Sequence, residues 1–344
     1  MNKLSFVIAI LILEALLGCA QQTQVQPIIP SPPSVEVTQP PQPSTEIPIT
    51  AILKETKPKI AFVRDLGGDL GWDIFTADAD GSNIVNITNS PSQDLWPTWS
   101  PDGTQIAFEG IYVMDADGGN RTFLGGGVYP AWSPNGTKIA FSSLGDLFTM
   151  NTDGTSKSPI LPILRRQWDT YSQVCPSWFP DSKRVAYASN GMGYWEIFEV
   201  TVNNNLNIGI LGADTSNSKK YPIHISGGGL RFPTDNIAYH NLFPVLSVSP
   251  DGGTIAFDYY NPVAFKRDIY LFDIETEKVK CLTCEASTNC YFPTWSPDGL
   301  KIAFTMETSK DSMGHVGTDI YVMDTDGGNP TLLIKNGMFP SWQR

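Results

Sequence analysis

At 344 residues with 41% hydrophobic content the chain can bury a sizeable core, and its formal net charge of −12 sets it against nucleic acid, whose phosphates an acidic domain repels. No block of Lys and Arg marks an electrostatic membrane contact. Gly-x-Ser-x-Gly, His-Glu-x-x-His and Gly-x4-Gly-Lys patterns are missing, so no catalytic residue is assigned and no cofactor or metal is expected.

Residues 1–18 read as a signal peptide: Lys3 precedes an apolar stretch, Leu4 to Leu17, that is too short to span a bilayer core comfortably. Leu16-Leu17-Gly18-Cys19 resembles the lipobox of bacterial lipoproteins, which implies lipid attachment at Cys19 and a membrane contact through that lipid. An ordinary cleaved signal or an uncleaved anchor helix is the alternative, and Glu14 inside the apolar run is the departure from the pattern. Residues 19–57 are rich in Pro, Gln, Ser and Thr, with pairs at Pro32-Pro33 and Pro40-Pro41, and read as a tether of extended polyproline character.

From residue 58 onward a unit repeats. Trp99-Ser100-Pro101-Asp102-Gly103 with Ile106-Ala107-Phe108 returns as Trp132-Ser133-Pro134-Asn135-Gly136 with Ile139-Ala140-Phe141, then as Trp178-Phe179-Pro180-Asp181 with Val185-Ala186-Tyr187. Further copies are Val248-Ser249-Pro250-Asp251-Gly252 with Ile255-Ala256-Phe257, and Trp295-Ser296-Pro297-Asp298-Gly299 with Ile302-Ala303-Phe304. A second half-repeat lies between them, as in Asp73-Ile74-Phe75, Ile111-Tyr112-Val113-Met114-Asp115 and Asp319-Ile320-Tyr321-Val322-Met323-Asp324. Short β-branched and aromatic runs bounded by Pro-Asp-Gly or Asp-x-Asp-Gly are strands and tight turns, four strands (A to D) per unit. The motif positions 99, 132, 178, 248, 295 and 342 are spaced by 33, 46, 70, 47 and 47 residues. This predicts an all-β, six-bladed β-propeller over residues 58–344.

The ends complete one another: Phe339-Pro340-Ser341-Trp342 is a strand A without its B, and Lys59-Ile60-Ala61-Phe62 a strand B without its A. The spacing of 70 leaves open whether residues 212–244 hold a loop insertion or a decayed hairpin at Phe232-Pro233-Thr234-Asp235 with Ile237-Ala238-Tyr239.

These units resemble the propeller repeats of the TolB family, whose pattern is Trp-Ser-Pro-Asp-Gly, Ile-Ala-Phe, then Ile-Tyr-Val-Met-Asp-x-Asp-Gly, over roughly residues 58–344. The family's namesake carries a further α/β domain ahead of its propeller; that domain is not read in this chain, so a Tol-system role is not carried over.

Strand alternation puts the A–B and C–D turns on one face and the B–C and D–A connections on the other. The second face receives the long segments, including residues 88–95, 164–174, 212–243, 258–267, 284–291 and 306–317, and is read as the working face. Its candidate binding residues are Trp168, Tyr171, His240, Tyr259, Tyr260, Arg267 and His315, with sealing of the ring as the structural alternative for each. The motif tryptophans are read as core, and the Asp-x-Asp-Gly segments as turns rather than calcium loops, since they lack the oxygen donors calcium requires. Cys281, Cys284 and Cys290 are disulfide candidates, with one bridge among them and the pairing open; a zinc site lacks a dependable fourth ligand. The functional expectation is a monomeric, lipid-anchored envelope scaffold binding a protein or glycan. The alternative is a propeller lyase or hydrolase drawing on the loop histidines His224, His240 and His315.

Overall fold

The computed structural model describes residues 57–67, 71–161, 173–189, 196–202, 218–220, 244–261, 264–310 and 316–343. Cys19, the Pro-rich segment, Trp168, Tyr171, the three histidines and the segment 232–239 lie outside these residues.

The described strands form six four-stranded antiparallel sheets. Blade 1 joins β1 (Lys59–Asp65), β2 (Trp72–Asp78) and β3 (Val85–Asn86) to β24 (Met338–Trp342) from the other end of the chain. Blade 2 is β4 (Thr98–Trp99), β5 (Gln105–Phe108), β6 (Tyr112–Asp115) and β7 (Thr122–Phe123); blade 3 is β8 (Val128–Trp132), β9 (Lys138–Ser143), β10 (Asp146–Asn151) and β11 (Ser158–Pro159). Blade 4 is β12 (Gln173–Trp178), β13 (Arg184–Ser189), β14 (Glu196–Thr201) and β15 (Ser218–Lys220). Blade 5 is β16 (Leu246–Val248), β17 (Thr254–Asn261), β18 (Lys266–Asp273) and β19 (Val279–Cys281); blade 6 is β20 (Cys290–Trp295), β21 (Lys301–Lys310), β22 (Val316–Asp324) and β23 (Thr331–Ile334). The six A strands touch in the order β24, β4, β8, β12, β16, β20 and back to β24, which closes the ring. Ile60 pairs with Trp342 and Ala61 with Ser341 across the closing seam, and the Gln343 side chain accepts from the Lys59 N–H and donates to the Gly103 carbonyl.

Strand B explains why the blades stack. Side chains alternate faces along a strand, so in Ile-Ala-Phe the two large residues point one way and the alanine the other. Ile139 and Phe141 of blade 3 pack into the cluster with Ala107 of blade 2, while Ala140 packs into the cluster with Trp178 of blade 4. The same division holds around the ring. Ala61 shares a cluster with Trp99, Ala107 with Trp132, Ala256 with Trp295 and Ala303 with Trp342. Each alanine is fully buried and leaves room for the indole of the next blade's strand A. Only the blade 4–5 interface differs, with Ala186 meeting Val248.

Three indoles also bind across the interface. The Nε1–H groups of Trp99, Trp178 and Trp295 donate to the carbonyls of Ser341, Ala131 and Ser247 at 3.0–3.1 Å. Those of Trp132 and Trp342 are buried without an acceptor.

Within every blade, an aromatic on strand B stands directly opposite one on strand C: Phe62 and Phe75, Phe108 and Tyr112, Phe141 and Phe148, Tyr187 and Phe198, Phe257 and Tyr270, Phe304 and Tyr321. Their ring centroids are 5.4–6.1 Å apart, a cross-strand contact that fixes register. The Asp-x-Asp-Gly segments are the C–D turns. Gly81 and Gly118 adopt positive φ, and a Cβ on either would collide with the carbonyl of Leu333 or Ile87 in the adjacent blade. The turn carboxylates of Asp78, Asp115 and Asp324 accept from Asn83, Asn120 and Asn329.

Two segments expected as B–C loops are largely strand. β17 and β18 extend as a hairpin that pairs Tyr259 with Asp268 and Tyr260 with Arg267, and β21 and β22 pair Glu307 with Thr318 and Lys310 with Val316. Tyrosine favours extended backbone, and the buried pair between Asp258 and Arg267, joined at 2.8 Å, ties the lengthened strands together.

Filling an alanine site should cost stability according to what faces it. Ala107→Leu, opposite Trp132, is expected to lose about 1–3 kcal/mol through overpacking, and Ala186→Leu, opposite Val248, clearly less. Denaturant unfolding measures both, and equal losses would contradict the paired-fit account.

Candidate functional site in the central channel

The six A strands surround a cavity of about 400 Å³ along the ring axis. Five of them share the sequence X-Pro-x-Trp, beginning at Trp96, Tyr129, Cys175, Phe292 and Phe339. In blades 1, 3, 4 and 6 the pairing with strand B slips by one residue at this point, a β-bulge that absorbs the proline, which cannot donate to the ladder. All five X residues hold φ between 53° and 58°, a left-handed conformation that costs a bulky side chain free energy and persists only when its surroundings enforce it.

The consequence is an aromatic plug. Trp96 lies against Tyr129, Phe292 and Phe339 at centroid distances of 4.6, 5.3 and 4.0 Å, and Phe292 lies 4.4 Å from Phe339. Since Trp96 and Phe292 belong to blades 2 and 6, which flank blade 1, the rings meet across the axis at the end where the D–A connections enter. Buried polar groups hold the plug from behind. Asp258 accepts from the backbone N–H of Val245 and of Phe292 at 2.9 Å each, and from Arg267 at 2.8 Å. Burial pushes the Asp258 carboxyl up, against the opposing pull of Arg267. The Arg267 backbone N–H also donates to the Asn289 side-chain oxygen; the Asn289 amide in turn donates to Glu307, to which the Tyr291 hydroxyl also donates. The sequence candidate Arg267 therefore sits 5% exposed inside the plug's support.

Beyond the plug comes a belt of half-buried residues, each one position before the motif tryptophan or, in blade 5, before Val248: Thr98, Ala131, Ser177, Ser247, Thr294 and Ser341. At the opposite end the channel is rimmed by Pro101, Pro134, Pro180, Pro250 and Pro297 of the A–B turns. Among the described residues Tyr129 and Cys175 are the only titratable side chains in this lining, and burial raises the pKa of both.

Of the remaining sequence candidates, Tyr259 is half-buried edge-on against Tyr270, its pKa pushed up to about 12 by burial, and Tyr260 is half-buried on the same strand. Neither joins the channel lining. Cys281 and Cys284 form a disulfide, and Cys175 and Cys290 are buried free thiols. The plug was missed in the sequence reading. Its signal was present, since an aromatic or Cys recurs three residues before each motif tryptophan and is always followed by proline.

The rim turns share one arrangement. Ser100, Ser249 and Ser296 donate from Oγ to Asp102, Asp251 and Asp298 at 2.5–2.6 Å, and the N–H of Thr104, Gly253 or Leu300 adds a second donor. The serine hydroxyl foremost, then the backbone N–H, holds all three carboxyls below the usual carboxylate range. Blade 3 makes the same turn with neutral Asn135. A depressed folded-state pKa contributes stability above the unfolded value of about 4 that is lost as pH falls through the folded one. The triple variant Asp102→Asn, Asp251→Asn, Asp298→Asn should therefore show a shallower fall of melting temperature below about pH 4. An acid limb as steep as that of the parent chain would contradict this.

The family model for the TolB beta propeller domain matches residues 49–222. Over 82 residues the chain is 35% identical to the Tol-Pal system protein TolB of Thioalkalivibrio sulfidiphilus, which covers 21% of this chain and 19% of that one, so the match spans about a fifth of the relative's length. Among solved structures, TolB from Acinetobacter baumannii superposes with a TM-score of 0.59 at 20% identity, over 83% of this chain and 66% of that one. The putative TolB from Agrobacterium tumefaciens gives 0.56 at 18% identity, over 82% and 90%. With a family match over just over half of its length, the chain belongs to the TolB beta propeller domain family.

Proposed function

We propose that this chain is a lipid-anchored protein of the bacterial envelope whose propeller receives an uncharged, extended segment of a partner protein at the proline-rimmed mouth of its channel. The observation that carries the reading is the lining itself. Five hydroxyls of the six-residue belt offer hydrogen bonds to a peptide backbone, proline and tryptophan faces offer apolar contact, and the plug provides a floor. A volume of about 400 Å³ falls within the common range for binding pockets. Among the described residues the lining carries no carboxylate, lysine or arginine, which supports an uncharged ligand over a charged one. The relative named as a Tol-Pal system protein supports a protein partner over a glycan. The lipobox-like Leu16-Leu17-Gly18-Cys19 and the Pro-rich segment support attachment through a tether.

Photo-crosslinking in cells tests both parts. A benzoylphenylalanine replacing Pro297 on the rim should trap a discrete protein in the membrane fraction, whereas the same probe at Leu144, 97% exposed on a B–C turn of the other face, should trap at least tenfold less. Adding Cys19→Ala should move the chain to the soluble fraction. Equal adducts from both positions would overturn the channel reading, and unchanged membrane fractionation would overturn the anchor.

A further inference from the structure

Blades 1 and 5 solve the same local problem with one different residue. In blade 1 the buried Asp73 opens strand C, and its Oδ1 accepts from the Thr88 hydroxyl at 3.1 Å, while that hydroxyl accepts from the Ile74 N–H at 2.9 Å. Its Oδ2 accepts from the Asn86 side-chain amide at 2.7 Å. Blade 5 repeats this with Asp268, Thr283 and Ile269 at 3.1 and 2.9 Å. Asn86 faces Phe75 across the strands, and Cys281 faces the equivalent Tyr270. Cys281 thus occupies the place of the missing amide. Asp268 is fully buried and its Oδ2 has no hydrogen-bond partner.

That oxygen-bearing group lies beside sulfur. One carboxylate oxygen of Asp268 and the Sγ atoms of Cys281 and Cys284 all fall within 4.8 Å of one another. The two sulfurs are joined here in a disulfide whose partners are three positions apart, and a ring so short removes little chain entropy from the unfolded state. Cys284 is exposed, so a reductant can reach it.

We propose that the dithiol form of this turn is a zinc site, with the thiolates of Cys281 and Cys284 and the carboxylate of Asp268 as ligands and water in the fourth position. A tetrahedral zinc with about 2.3 Å bonds to sulfur and about 2.1 Å to oxygen needs its donors roughly 3.5–4 Å apart; the three donors start within 4.8 Å of one another, and opening the S–S bond frees the two sulfurs to separate. The charges also fit. Two thiolates, one carboxylate and Zn²⁺ sum to −1, and the Lys266 ammonium lies 2.7 Å from Asp268 Oδ1. The same ammonium donates to the carbonyls of Thr283, Cys284 and Ala286 at 2.8–3.2 Å, which holds the cysteine-bearing turn in place whether or not the bridge is closed.

The required step is thiol–disulfide exchange with a small dithiol. Its thiolate attacks the exposed Cys284 Sγ, the Cys281 sulfur leaves with the electron pair, and the second thiol of the reductant releases Cys284 as it closes its own disulfide. Zinc then displaces the two thiol protons to solvent.

The test uses the full chain, reduced with a dithiol, desalted without oxygen and titrated with Co²⁺ as a spectroscopic stand-in. One equivalent should give a thiolate-to-cobalt charge-transfer band that Zn²⁺ abolishes, and the oxidised chain should give none. Cys281→Ser or Cys284→Ser should remove the band, Asp268→Asn should weaken cobalt binding at least tenfold, and Cys290→Ala should leave it intact. Should Asp268→Asn fail to fold, the cysteine variants still decide. A reduced parent chain without the band, a band that survives Cys281→Ser, or one that depends on Cys290 would overturn the proposal.

Discussion

At five of the six blade interfaces a tryptophan on strand A of one blade fills the space left by an alanine on strand B of the blade before it, with Val248 in that place at the sixth, and the fold depends on repeating that contact until the ring closes. A lone four-stranded blade would expose both of its faces to water. Stacking converts both into interface, and the six buried clusters among the described residues are these six interfaces. The seam is built as the other interfaces are, because β24 supplies both a strand for β1 and Trp342 for the site opposite Ala303. Closure gives β1 an inner neighbour, so blade 1 has four strands like the others.

The channel follows from the same geometry. Strand A, nearest the axis, has no further strand to pair with on its inner side, so its free groups and side chains face a cavity. Proline suits that position because it lacks the N–H that a further ladder would need. The bulge it brings re-aims the preceding residue across the axis, and four aromatic rings from four blades meet there. What remains open is a short, rigid, uncharged tube with a proline rim. Such a surface is suited to recognising a chain segment by shape and backbone hydrogen bonds, with the ordering cost already met by the fold.

Much of the fold was legible in the sequence because every blade must present the same knob and the same hole. Ile-Ala-Phe and Trp-Ser-Pro-Asp-Gly recur for that reason, and Phe339-Pro340-Ser341-Trp342 announced the closing strand by lacking its own hairpin. The candidate site was less legible. Tyr259, Tyr260 and Arg267 read as loop residues but belong to lengthened strands, since aromatic residues extend a hairpin as readily as they decorate a loop. The plug was hidden because Trp96, Tyr129, Phe292 and Phe339 look like ordinary core residues; only the proline after each shows that the backbone bends there. Cys281 gained meaning only once register placed it opposite Tyr270, where blade 1 has Asn86 opposite Phe75.

The most direct measurement is thermal unfolding of the chain lacking residues 338–344. Removing β24 strips β1 of its inner partner, removes Trp342 from the cluster with Ala303 and takes Phe339 out of the plug. Losing two large buried aromatics alone costs several kcal/mol, so a single cooperative transition at least about 10 °C lower than in the intact chain is predicted. A truncated chain that melts at the temperature of the intact one would show that the ring does not depend on its seam, and would contradict the account.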